Sequence, residues 1–189
     1  MTEKFIPAHG GYQQLLSFQR AEVVYDATVK FCADHLDRRD RTVDQMVQAA
    51  RSGKQNIVEG SMASGTSKEM EVKLTNVARA SLEELLTDYR DFLRTRGLTE
   101  WPREHRYVRR LQTLNRTPNA NYETFRKAVE HADPEIRANA IMGLIKVTNY
   151  LLDQQLRRLE KDFVERGGLR ENMTRARLEH RAKQNRRQA

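Results

Sequence analysis

Apolar residues return every three or four positions along four stretches of this chain, and nowhere of useful length do they alternate with the period of two that a strand requires. The pattern predicts an all-α protein. The first stretch, about Gln14 to Arg38, sets Phe18, Ala21, Val24, Tyr25, Thr28, Phe31, Cys32 and Leu36 along one helical face and ends in the charge run DRRDR. Thr42 to Gln45 reads as a capping box opening a second helix, whose stripe is Val43, Met46, Val47, Ala50, Ile57 and Val58. The glycines and hydroxyls of Gly60 to Gly65 predict a connector, so this helix is expected to stop near Gly60.

A further capping box, Thr66 to Glu69, starts the cleanest signal: Met70, Leu74, Val77, Ala78, Ser81, Leu82, Leu85, Leu86, Tyr89, Phe92 and Leu93. Gly97 stands where a left-handed residue ends a helix, with Arg94 and Arg96 in the last turn facing the negative end of the dipole. Residues 98–133 hold only short helical hints, at Tyr107 to Leu114 and Tyr122 to Val129, with breaks at Trp101-Pro102 and Thr117-Pro118-Asn119. Asp133-Pro134 opens the fourth long helix, with Asp as cap and Pro where its missing N–H costs nothing. Its stripe runs from Ala140 to Phe163, and Gly167-Gly168 ends it.

The economical packing of these elements is an antiparallel, up-down-up-down four-helix bundle over residues 14–166, with 98–133 as a short helical insertion before the fourth helix. Residues 1–13 are expected to form a flexible N-terminus, and 167–189 a basic C-terminal suffix. The third and fourth stripes are broad, with paired apolar positions at every turn, and the functional reading of that breadth is self-association.

Composition adds little to this picture until charge is placed along the chain. A chain of 189 residues with 38% apolar content can build a core without a metal or disulfide staple. Cys32 is the only cysteine, so an intrachain disulfide is excluded, and a reducing compartment is consistent. The opening residues lack the apolar region of a signal peptide, and no stretch approaches a membrane span, so a cytoplasmic protein with no membrane role is expected. Residues 166–189 carry seven Arg and one Lys against Glu171 and Glu179, a balance of +6 out of the chain's +8. An electrostatic partner should therefore meet the C-terminal arm first.

The pattern of the second and third helices resembles that of the bacterial four-helix-bundle proteins encoded within intervening sequences of large-subunit ribosomal RNA genes. The residues that carry it are Ala49-Ala50-Arg51-Ser52 followed by Asn56-Ile57-Val58-Glu59-Gly60, and Val77-Ala78-Arg79-Ala80-Ser81-Leu82-Glu83-Glu84-Leu85. Ala80 replaces the family's usual glycine, and Lys54 stands where the family often has proline. The run from Phe163 to Arg175 is similar to a suffix found in one branch, so the resemblance covers about residues 14–98 and 134–180. It implies a four-helix bundle assembled as a ring-like homopentamer. It also implies a relation to the accessory bundle proteins of diversity-generating retroelements, which bind nucleic acid and a reverse transcriptase.

Catalytic chemistry finds little purchase. His9, His35, His105, His131 and His180 are scattered, with no spacing that converges on a metal, and Gly60 to Lys68 has neither the strand nor the Lys-Ser/Thr order of a phosphate loop. No catalytic residue, metal site or cofactor is expected. Glu59 and Glu84 lie nearest the apolar faces, and with Asn56 and Ser81 they are expected to hydrogen-bond between helices or across subunits and fix register. Two functions fit. In the first, Arg170, Arg175, Arg177, Arg181, Lys183, Arg186 and Arg187 bind phosphates of RNA, or less readily DNA, without reading sequence, and Arg51, Lys54, Lys68 and Lys73 are secondary contacts. Seven such contacts would give a log-log salt slope of about −6 on duplex DNA. In the second, an oligomeric scaffold binds a protein partner and the tail only solubilises it.

Overall fold

The computed structural model describes residues 9–115, 117 and 120–188, and its regular structure there is helical throughout, with no strand. A 3-10 turn at Tyr12–Gln14 precedes α1 (Leu16–His35), α2 (Arg41–Ala63), α3 (Lys68–Thr95), α4 (Arg106–Asn115), α5 (Tyr122–Val129), α6 (Pro134–Arg166) and α7 (Leu169–Gln188). Each of α1 and α3 packs on both α2 and α6, which closes a cycle of four helices around one apolar core. No helix is long and apolar enough to cross a membrane among the described residues.

The core follows the stripes. Ala21, Val24 and Phe31 of α1, Met46, Ala50 and Ile57 of α2, Ala78, Leu82 and Leu85 of α3, and Ile141, Leu144 and Ile145 of α6 are buried. Phe31 meets Tyr89 and Phe92 edge-on at 5.0 and 4.8 Å, a favoured geometry for aromatic pairs. Phe163, at the far end of the α6 stripe, is exposed instead.

Helix boundaries move by a few residues for identifiable reasons. The cap of α2 is Asp40, whose carboxylate accepts from Thr42 N at 2.9 Å, so the expected Thr42 box does not form. The α3 cap is Ser67, accepting from Met70 N at 3.1 Å, in place of Thr66. Nor does α2 stop at Gly60. It continues to Ala63, and Gly60 faces α3, where a Cβ would lie in ordinary contact, 3.4 Å from Glu71 O and from Leu74 Cβ.

At the other end of α3, Gly97 has φ +65, Leu98 N donates to Leu93 O and Gly97 N to Arg94 O, the two bonds of a Schellman cap. Asp133 caps α6 through Glu135 N at 2.8 Å with Pro134 in its first turn. Of the Thr117-Pro118-Asn119 break, Pro118 and Asn119 lie outside the described residues. The last residues of the N-terminal stretch dock, since Gly10 N donates to Ser61 O and Tyr12 meets Phe18 edge-on at 4.9 Å.

The insertion is held by buried polar groups. Arg20, 2% exposed, donates to Asn115 Oδ1, Asn115 O and Ala120 O, which pins the α4–α5 connector to α1. Trp101 anchors the preceding loop to α6, its backbone N donating to Asn139 Oδ1 and its ring N to Glu135 Oε1.

Candidate nucleic-acid interface

A helix forms over residues 169–188 although it has no apolar stripe, because Leu, Arg, Ala, Lys, Gln and Glu are all strong helix formers. Its first turn is capped by Glu171, whose Oε2 accepts from Gly168 N at 2.7 Å. Gly167, at φ +70 and ψ −178, sits in a region that essentially only glycine visits, and this residue turns the chain between α6 and α7. Beyond that joint, among the described residues, α7 makes no extended contact with any other helix. Seven basic residues stand against two acidic ones along it.

Arg170, Arg175, Arg177, Arg181, Lys183 and Arg186 are exposed, and the Arg187 side chain lies outside the described residues. Among the described residues, Met173, Ala176, Arg177, His180, Arg181 and Gln184 line a concavity of about 380 Å³ along α7. Two guanidinium groups at such a rim suit an anion. A second cleft, of about 400 Å³ between α1 and the start of α5, is lined by Glu22, Asp26 and Glu123, so it repels phosphate.

The secondary cations are dispersed rather than gathered. Arg51 and Lys73 are exposed, Lys54 lies over the Tyr25 ring at 4.3 Å, and Lys68 pairs with Glu71 at 2.7 Å. Glu59 and Glu84 are exposed too, and the α2–α3 seam is held by other groups. Asn56 Nδ2 donates to Ser52 O and Oγ, and Ser52 Oγ meets Ser81 Oγ at 2.9 Å across the two helices. Close packing falls at Gly53, where a Cβ would sit 2.7 Å from Leu82, while Ala80 is exposed.

Sequence reasoning missed two buried arginines, the Arg20 anchor and a second cluster around Arg137. Arg137, 3% exposed, pairs with Asp34 at 2.7 Å and reaches His35 Nε2 at 3.5 Å, yet its Nε and Nη2 have no partner. Nearby, burial pushes the Cys32 thiol up to about 12, so it stays a protonated core residue. The signal available was slight: an arginine four residues past the Asp133 cap, on the face that continues into Ile141 and Leu144. No group of three or more His, Cys, Asp or Glu that could hold a metal occurs among the described residues.

No family model, curated protein or solved structure matches this chain.

Proposed function

We propose that this protein is a non-catalytic, cytoplasmic, antiparallel four-helix bundle that binds nucleic acid through phosphate contacts made by α7, and that it works as a homo-oligomer, a pentamer by resemblance. The observation that carries this reading is α7 itself, a basic helix of 20 residues held apart from the bundle by a two-glycine joint. A helix with no buried residue among those described gains little stability from packing, so its charge density is the property left for it to use. In an oligomer several weak arms would act together, each raising the effective concentration of the next.

The test compares the full chain with one lacking residues 167–189. Fluorescence anisotropy with labelled single- and double-stranded probes should show binding that collapses with salt and is mostly lost in the truncated protein, while helicity and assembly persist. Equal binding by both forms would move the site to the bundle. No binding by either at low salt would favour the second reading, a scaffold for a protein partner, which the exposed Met70, Val77 and Tyr150 support.

A further inference from the structure

The register of α7 sorts its cations. At about 100° per residue, Arg170, Arg177 and Arg181 fall within roughly 40° of one another, and Arg175 and Arg186 within roughly 20°. The two groups are about 150° apart around the helix. Between them on the shorter arc lie Thr174, Leu178, Ala182 and Asn185, all uncharged, together with Glu171, whose carboxylate is engaged at the Gly168 N–H. Lys183 and the position of Arg187 are on the opposite arc, with Ala176 and His180. Leu178 is 59% exposed, an apolar side chain left largely open to solvent.

This is two basic flanks with a ridge between whose one charge, Glu171, is held on the Gly168 N–H in the first turn, and one flat surface could engage only one flank at a time. We propose that α7 enters the major groove of B-form duplex DNA, its flanks reaching the phosphates of the two strands and the Thr174–Leu178–Asn185 ridge facing the base edges. This rests on the proposed role of α7 in nucleic-acid binding and deepens it. An α-helix with its side chains is about 10–12 Å across. The B-form major groove is about 12 Å wide and admits one, with phosphates along both walls. The major groove of A-form RNA is too deep and narrow for the same entry, so the geometry places duplex DNA ahead of RNA. Each flank extends over eleven helical steps, about 16 Å along the helix, so contacts on both walls extend over several base pairs. The ridge adds methyl groups from Thr174 and Leu178 and an amide from Asn185, which suit base edges and carry no charge to be desolvated.

Five flanking cations would give a log-log salt slope near −4.5 on duplex DNA, rather than about −6 for seven. The experiment uses the full chain with three labelled probes: a 20-base-pair DNA duplex, the RNA duplex of the same sequence, and the single strand. Binding to the DNA duplex should exceed binding to the RNA duplex at least tenfold, and bound protein should protect guanine N7 in the major groove from dimethyl sulfate. The doubles Arg177→Gln/Arg181→Gln and Arg175→Gln/Arg186→Gln should each lower the slope by about 2, while Lys183→Gln, on the opposite arc, lowers it by less than half as much per charge. RNA duplex bound as tightly as DNA, unprotected N7, or a Lys183→Gln loss equal per charge to that of the doubles would overturn groove entry and leave arm-to-phosphate binding standing. If the truncated chain binds every probe as tightly as the full chain, the arm reading falls as well.

Discussion

Glu130 gathers three partners at the end of α5: Lys30 from α1, Tyr122 Oη at 2.9 Å and Arg126 Nε at 3.2 Å. The bond from Lys30, then that from Tyr122, holds its carboxyl down to about 2 from an ordinary 4.5. The unfolded chain therefore takes up this proton first as pH falls. The stabilisation is complete above about 4.5 and is lost on acidification towards about 2. Glu130→Gln should flatten the acid limb of a plot of denaturation midpoint against pH, and an unchanged limb would remove Glu130 as its source. His35 carries the same sign at higher pH. Burial first, then Arg137, lowers it below 6.5, so stability declines as pH falls from 6.5, and His35→Gln should remove that part of the slope. For the apolar core, Leu85 is wholly buried, and Leu85→Ala should cost about 2 to 5 kcal/mol in urea denaturation. No change in midpoint would mean that this face of α3 is not core.

At the scale of the element, the two glycines inside α2 separate helix propensity from packing. Both lie in the helix interior at ordinary φ, so Ala at either should gain about 1 kcal/mol from propensity alone. At Gly60 the new Cβ meets its neighbours at 3.4 Å or more, an ordinary contact, and Gly60→Ala should raise the thermal midpoint. At Gly53 it would come within 2.7 Å of Leu82 Cγ and Cδ2 in the filled core. Gly53→Ala should therefore lower the midpoint, overpacking costing about 1 to 3 kcal/mol. A rise at both would mean that the α2–α3 spacing yields easily. Gly60 also shows what could be read from sequence. A glycine inside an apolar period looks the same whether it ends a helix or faces a neighbouring one, and only the position of α3 distinguishes them. The caps were legible to within a residue or two, because Asp40 competes with Thr42, and Ser67 with Thr66, for the same orphan N–H groups. The helicity of α7 was not legible, since apolar periodicity is what marks a helix in sequence and α7 has none. Its basic residues were plain from composition, but their division into two flanks depends on that helix existing.

At the scale of the whole molecule, the apolar positions that the core leaves uncovered bear on assembly. Met70 is 44% exposed, Val77 39% and Tyr150 62%, although Met70 and Val77 belong to the stripe that buries Leu82 and Leu85. Met70 and Val77 are seven residues apart and so share a face of α3. On α6, Tyr150 precedes Asp153, which pairs with Arg79 of α3, so that neighbouring ridge runs beside the same helix. A stripe too wide for its own bundle is what association between copies would bury, and charge placed there should oppose it without touching the core. Multi-angle light scattering of the full chain should give a multiple of 22.1 kDa, five by resemblance, across micromolar concentrations. Val77→Glu/Tyr150→Glu should shift that mass to a single chain with helicity retained, and should also weaken DNA binding as the arms lose their shared attachment. A single-chain mass for the unaltered protein would end the case for assembly and leave each α7 to bind alone. A full-sized oligomer in the double variant would instead place the interface elsewhere on the bundle.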